Sequence, residues 1–380
     1  MKVVVVMDSF KGSVTSMEAG EAAKKGIEKA YEKSKAPSVK VLSIADGGEG
    51  TIEAIFYKTP EKIQKSQVHG PLFGEKVWAK YGQLDEKVVL EVAETSGILL
   101  VEKEQLNPWE ATTYGLGEQI AQRIKAGARD FLIGLGGSAT NDAGMGMLYA
   151  LGVRFLDSNQ QSLGYQLKDM ASLAQIDVSQ ILPELASCKF KLASDVTNPL
   201  LGEQGATYIF GKQKGVKLSE MAEIDQLLQN FSKLTKEVTH TDYVNYPGAG
   251  AAGGIAFSFL SYLNAALVSG FDEVAGLIHL EEEIAKSDLV ITGEGLLDAQ
   301  SLMGKVPIAV AKMAQVYQKP VIALAGGTSK DAYKCNEMGI QAFFPTIRRI
   351  ASETETLQTA TTLAAIQEAA EQLFRFAQLF

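Results

Sequence analysis

Short apolar runs that break into polar, glycine-bearing turns recur along this chain. Val3–Val6, Val39–Ile44, Phe131–Leu135, Phe190–Ala193, Leu289–Thr292 and Val321–Ala325 each have the length and composition of a buried strand. Helical spacing follows several of them: Ala19, Ala23, Ile27 and Ala30 after the first run, Ile52 and Ile55 after the second, and Met145, Leu148 and Leu151 after the Phe131 run. Thr15 and Glu18 have the spacing of a capping box at the first of these helices. Further helices are predicted on Leu116, Ile120 and Ile124, closed by Gly127, on Met221 to Val238, on Phe257 to Leu263, on Pro307 to Tyr317, and on Leu363 to Ala377. Val153–Leu156 reads as one more short strand. Between Tyr57 and Glu75 the pattern loosens around two prolines, and beyond it Val77–Tyr81 and Val88–Val92 flank GQLDEK as a hairpin. A domain boundary belongs near this break. The alternation elsewhere predicts an α/β protein with parallel strands.

In parallel α/β sheets, ligands bind beyond the carboxyl ends of the strands. Five predicted strands here end in polar, glycine-bearing loops: Asp8 to Ser13, Asp46 to Thr51, Gly136 to Asp142, Asp195 to Asn198 and Glu294 to Asp298. A sheet needs turns, but it does not need a carboxylate after nearly every strand. The stretch Phe131–Gly152 reads as strand, glycine turn and helix, so unpaired amides at the helix start, the dipole, and the hydroxyls of Ser138 and Thr140 beside Asn141 predict an anion site. Acids and phosphate-type loops together point to a magnesium-bound nucleotide, because hard carboxylate oxygens hold the ion while it bridges phosphates. The Walker A pattern is absent. GLGGSA from Gly134, with Asp157 downstream, fits a dinucleotide fingerprint and keeps an NAD-dependent oxidoreductase acting on a small hydroxy acid as the alternative. GAGAAG from Gly248 fits the same letters without a preceding strand and reads as close helix packing.

The chain has 380 residues, of which 46% are hydrophobic, enough for two domains with separate cores. Its net charge of −9 argues against nucleic acid or an anionic membrane as partner. Cys188 and Cys335 stand far apart, which predicts no disulfide framework and a reducing, cytoplasmic setting. His69, His240 and His279 lack ligand spacing, so no zinc signature is present. MKVVVVMDSF reads as a strand and not a signal peptide, and no apolar run has the length of a membrane span. Trp78 and Trp109 are expected in a core or an interface.

Six motifs in order, MDSFKGS (7–13), ADGGEGT (45–51), GGSATNDAGMGML (136–148), SDVTNPLLG (194–202), PGAGAAGG (247–254) and TGEGLLDAQS (292–301), resemble the glycerate kinase type I family nearly end to end. The resemblance implies an ATP-dependent kinase that phosphorylates D-glycerate, in most such enzymes to 2-phosphoglycerate. It also implies two α/β domains with the site in the cleft between them. One is a Rossmann-like parallel-sheet domain built from both chain ends, here 1–68 and 282–380 with part of 107–152 as an optional addition; the other, 69–281, is an inserted α/β domain with a mixed sheet. One departure stands out: Leu296 follows GEG where many members carry arginine, so Lys11 or Lys305 must supply the cation. The expected roles are then as follows: Gly136, Gly137, Ser138, Thr140 and Asn141 on the ATP phosphates, and Lys11 on the transferred phosphoryl group or the glycerate carboxylate. Asp46 and Glu294 are the candidates for Mg2+, and Asp195, with Asp298 second, for the base. Asp8, Ser9, Lys11, Asp46, Gly47, Gly48 and Glu49 are expected at the substrate. A homodimer is left open.

Overall fold

The computed structural model describes residues 1–32, 34–72, 74–299, 301–347 and 352–379. In chain order its strands are β1 (Lys2–Met7), β2 (Ser38–Ser43), β3 (Ile63–His69), β4 (Lys76–Leu84), β5 (Lys87–Glu91), β6 (Asp130–Gly134), β7 (Arg154–Leu156), β8 (Gln175–Asp177), β9 (Lys189–Ala193), β10 (Ala266–Val268), β11 (Leu289–Leu297), β12 (Val321–Thr328) and β13 (Ala342–Pro345). The chain divides into two compact units: Met1–Asp46 with Glu53–Lys58 and Phe271–Phe380, and Gly47–Ile52 with Thr59–Gly270. The chain therefore passes between units at 46/47, 52/53, 58/59 and 270/271, where the sequence reading places two borders, at 68/69 and 281/282. The reason on the N-terminal side is local, since β3 pairs antiparallel with β4 along its whole length and so belongs to the middle sheet.

The terminal unit is a parallel sheet in the order β13-β12-β11-β1-β2. Counted along the chain within this unit, that is the doubly wound order 2-1-3-4-5, whose direction reverses between β1 and β11. β1 is apolar on both faces because helices cover both sides of such a sheet: Val3, Val4, Val5, Val6 and Met7 are all buried. Helix Ser16–Ala30 starts at the predicted capping box, with Thr15 and Glu18 each accepting from the other's backbone N–H. It packs on helix Thr359–Ala377 through Ile27, Ile366, Ala370 and Phe374, each worth about 1.5–3 kcal/mol of burial for the large side chains. Gly26 sets the approach, since a Cβ there would lie 2.1 Å from the Gln367 carbonyl oxygen.

The middle unit is a mixed sheet in the order β10-β9-β6-β5-β4-β3, parallel from β10 to β5 and antiparallel from β5 to β3. The predicted hairpin is β4–β5. Helix Met221–Thr239 buries Ile224, Leu228 and Phe231 in the core with Phe155 and Phe257, as its periodicity predicts. β7 and β8 pair antiparallel apart from the main sheet. Trp109 packs against the core, whereas Trp78 is 64% exposed. The second glycine cluster is packing, as expected: Cβ atoms at Gly250 and Gly253 would lie 2.2 and 2.1 Å from the carbonyl oxygens of Pro199 and Thr140.

Two predicted strand ends are corrected. β11 continues through Gly293, Glu294, Gly295 and Leu296 to Leu297, and β12 continues through Gly326 and Gly327, because the two glycine-rich segments pair with each other in parallel register. A Cβ on Gly326 would stand 2.4 Å from the Gly295 carbonyl oxygen, so small residues here extend the ladder rather than end it. Glu294 consequently sits in a strand and not in the loop that the sequence predicts from Glu294 to Asp298. The helix after the β6 glycine turn is Met145–Ala150, where the spacing of Met145 and Leu148 places it, and it is entered through Gly144 in left-handed conformation.

Candidate active site

In the terminal unit, Asp8 leaves β1 and Glu294 rides on β11, the two strands that flank the reversal of strand order. The Asp8 N–H donates to the Gly293 carbonyl at 2.8 Å, which ties the loop after β1 to β11, and the Ser9 N–H donates to Asp8 Oδ1 at 2.7 Å. Asp8 is 7% exposed and Glu294 4%. Burial, with the Asp46 carboxylate adding repulsion, pushes Asp8 up to about 6, against the pull of the Ser9 amide, Lys11 and Lys305. Burial likewise pushes Glu294 up to about 7, opposed by Ser301 and Lys305 and reinforced by Asp8 and Asp298. Glu294 Oε1 is buried without a hydrogen-bond partner. Asp298 accepts from the Ser301 N–H at 3.0 Å and closes the turn that leads to Lys305, which precedes helix Val306–Val316.

These groups line one cavity of about 840 Å³, within the range of roughly 300–1,000 Å³ typical of small-molecule sites. Its polar part holds Asp8, Ser9, Lys11, Glu294, Asp298 and Lys305. Both cations named as substitutes for the missing arginine line this cavity, as does Leu296. Among the described residues no three carboxylate, imidazole or thiolate groups gather as a metal cage. Mg2+ does not need one, since it keeps several waters and takes one or two carboxylates plus phosphate oxygens. Asp8, Asp46 and Glu294 suit it: two are destabilised as bare anions, and Glu294 has an oxygen with no partner.

The middle unit arranges its glycine turns differently. Gly47, with φ of 85°, and Gly48 press on the β6 turn, for a Cβ on Gly136 would lie 2.5 Å from Gly48 Cα. Ala193 closes the third side, its carbonyl oxygen 2.7 Å from where a Cβ on Gly47 would stand. The amides that open helix Thr51–Phe56 are already engaged: Glu91, 1% exposed at the end of β5, accepts from Ile52 N–H at 2.6 Å and from Gly50 N–H at 3.1 Å. The helix after Gly136 is engaged in the same way. Asp142, wholly buried, accepts from the N–H groups of Gly144 and Gly146 and from the Thr113 amide and hydroxyl, while Thr113 Oγ1 accepts from Met147 N–H. A side-chain carboxylate thus engages the amides that open helix Met145–Ala150. Burial raises Asp142, and its four hydrogen bonds oppose that.

The rest of the loop is split. Gly137 is exposed and Gly136 half-buried, but Thr140 and Asn141 are wholly buried, with Thr140 Oγ1 and Asn141 Oδ1 unpaired and Asn141 Nδ2 donating to Thr207. Beneath it lies Lys214, 2% exposed, whose Nζ donates to Ser138 Oγ and to the Thr140 carbonyl, both at 2.7 Å. Burial lowers this lysine to about 7, with Asp142 pulling the other way. Asp195 is exposed after β9 and accepts from Gly270 N–H at 3.2 Å. Glu49 is exposed. Asp157 caps its own turn through Asn159 and Gln161, so it does not serve as the ribose acid of a dinucleotide fold, and nothing supports the oxidoreductase alternative.

Sequence reasoning missed Glu91, Thr113 and Lys214. Glu91 ends an apolar run with no glycine beside it, and Lys214 sits in a short turn, KQKG, with no periodic signal. Asp142 lay inside the chosen loop, and only its role was unread.

The comparisons with known proteins agree with one another. The model of the glycerate kinase family matches residues 3–378. The chain is 41% identical to a glycerate 2-kinase of Escherichia coli K12 over 95% of its own length and 94% of that protein's. It is 38% identical to a glycerate kinase of Halalkalibacterium halodurans, covering 98% of this chain and 97% of that one. A crystal structure assigned to a glycerate kinase 2 from Salmonella typhimurium LT2 superposes with a TM-score of 0.84 at 36% identity, covering 100% of this chain and 98% of that one. No helix among the described residues is long and apolar enough to cross a membrane. With the α/β architecture, the order of the six motifs and these matches over nearly its whole length, the chain belongs to the glycerate kinase family.

Proposed function

We propose that this protein is a kinase that transfers the γ-phosphoryl group of ATP to D-glycerate and forms 2-phosphoglycerate. The observation that carries this reading is the cavity of the terminal unit, where Lys11 and Lys305 face Asp8, Glu294 and Asp298 at the reversal of a doubly wound sheet. The 2-position follows the naming of the E. coli relative.

Phosphoryl transfer needs positioning and charge neutralisation more than covalent chemistry. Lys11 and Lys305 supply two cations against the charge of the transferring group. Asp8, Asp46 and Glu294 would hold Mg2+, which when bound neutralises charge on the phosphate oxygens. Of the two base candidates, Asp298 lines this cavity and Asp195 does not; we assign the acceptor hydroxyl's proton to Asp298, whose Oδ1 is oriented by Ser301. Lys214 fixes the Gly136–Thr140 loop from below as a positioning residue.

The test is incubation with ATP, Mg2+ and D-glycerate, followed by 31P NMR of the product. Appearance of the 2-phosphoglycerate resonance with stoichiometric ADP supports the reading. Formation of 3-phosphoglycerate overturns the position, and no ADP above background overturns the substrate.

A further inference from the structure

The cavity of the terminal unit has a second, different half. Besides its charged groups it is lined by Leu296, Ile347, Leu357, Ala360 and Ala364, the last two on the first turns of helix Thr359–Ala377, with Thr356, Thr361, Thr362 and Glu368 among them. Leu296 is 52% and Ile347 43% exposed, and Leu357, Ala360 and Ala364 are also open to solvent, so apolar surface faces the empty space rather than a packed core. Single exposed apolar residues are ordinary, but five lining one cavity are not. A ligand made only of hydroxyls and a carboxylate gains nothing there. D-glycerate has three carbons and cannot fill a space of about 840 Å³.

Of the two substrates in the proposed reaction, only ATP has a flat, weakly polar ring joined to a chain of anions. The cavity offers both apolar side chains and cations to such a molecule. We propose that the adenine ring of ATP docks on the apolar wall of the terminal unit, against Leu296, Ile347, Leu357, Ala360 and Ala364, with its phosphates directed to Lys11 and Lys305. This deepens the kinase reading and depends on it. It also moves the nucleotide away from the Gly136–Asn141 turn, whose helix start is filled by Asp142 and whose Thr140 and Asn141 are buried. Leu296, where relatives of this type carry arginine, then contributes apolar area beneath the base.

The test uses the full-length protein and 2-azido-ADP, which labels what lies against the purine ring on irradiation. Trypsin separates the two candidate regions, because residues 350–375 form one fragment and residues 130–154 another. Label on 350–375, displaced by unlabelled ATP, is the expected result; label on 130–154 overturns the proposal and returns the base to the glycine turn. As a second measurement, Ala364→Trp places a large ring on the cavity wall from an exposed helix position. It should weaken ADP binding by at least tenfold in calorimetry and leave D-glycerate binding within twofold. Unchanged ADP affinity, or loss of D-glycerate affinity alone, overturns the assignment. If the unmodified protein binds neither ATP nor ADP, the kinase reading itself fails, and that outcome is distinct from label at the wrong fragment.

Discussion

Lys214→Met keeps the length and the apolar stem of the side chain and removes only the ammonium. Two effects oppose each other. Ser138 Oγ and the Thr140 carbonyl lose a donor inside the protein, at about 1–3 kcal/mol for each group left unsatisfied. Against this, a lysine held at about 7 in the fold and at 10.5 when unfolded carries a folding cost wherever the unfolded chain keeps its proton more tightly. Between those two values the unfolded state binds more protons, so wild-type stability rises with pH; the cost is full below the folded value and gone above the unfolded one. The whole interval corresponds to roughly 5 kcal/mol. From pH 7 to pH 10 the wild type should gain about 3–4 kcal/mol relative to the variant. Near pH 7 the two proteins should be close in stability, and at pH 10 the variant should be clearly weaker. Urea unfolding followed by tryptophan fluorescence reads this directly, because Trp78 and Trp109 both lie in the same unit as Lys214. A stability difference that stays constant from pH 7 to pH 10 would refute the reasoning, since it would mean that burial has not shifted the ammonium.

Asp298→Asn should lower kcat by about 10²–10⁴ with ADP affinity retained, the usual range for losing a general base; Asp195→Asn should leave kcat within a few fold, and the reverse pattern in steady-state kinetics moves the base to Asp195. Turnover should stop on addition of EDTA and return with Mg2+, and Glu294→Gln should raise the Mg2+ concentration for half-maximal rate at least tenfold; an unchanged Mg2+ titration removes Glu294 from the metal. Gly136→Ala places a Cβ 2.5 Å from Gly48 Cα and should cost about 1–3 kcal/mol as an overpacked site, seen as a lower thermal midpoint; a midpoint within a degree of wild type means the two turns can separate freely.

Much of the fold was legible because local signals and tertiary demands agree. The capping box at Thr15, the hairpin at β4–β5 and the amphipathic helix Met221–Thr239 each need only a few neighbouring residues to be recognised. The errors arise where a partner distant in sequence decides. Glycines after an apolar run normally announce a turn, yet Gly293 and Gly295 stay in β11 because the Leu324–Gly327 segment of β12 runs alongside. The same holds for the site. A carboxylate near a helix start could be read, but not that Glu91 and Asp142 already occupy the amides of two phosphate-like turns. The cavity was invisible too, for its walls join Asp8 and Lys11 to Ala360 and Ala364, at the two ends of the chain.

That union of the chain ends has a consequence for how the protein is made. Helix Ser16–Ala30 leaves the ribosome early, but the face carrying Ala23, Gly26 and Ile27 is closed only by helix Thr359–Ala377. At about 5–20 residues per second, the wait is on the order of 15–65 seconds. For most of that interval, until Leu289–Leu297 is made, β1 lacks its β11 neighbour as well, so a strand of consecutive valines stands with one edge open. The middle unit, contiguous but for Gly47–Ile52, can close much sooner. The segment synthesised first is therefore the last to be completed, and newly made chains are most exposed to aggregation and to chaperone capture at Val3–Val6, the most apolar stretch of the N-terminus.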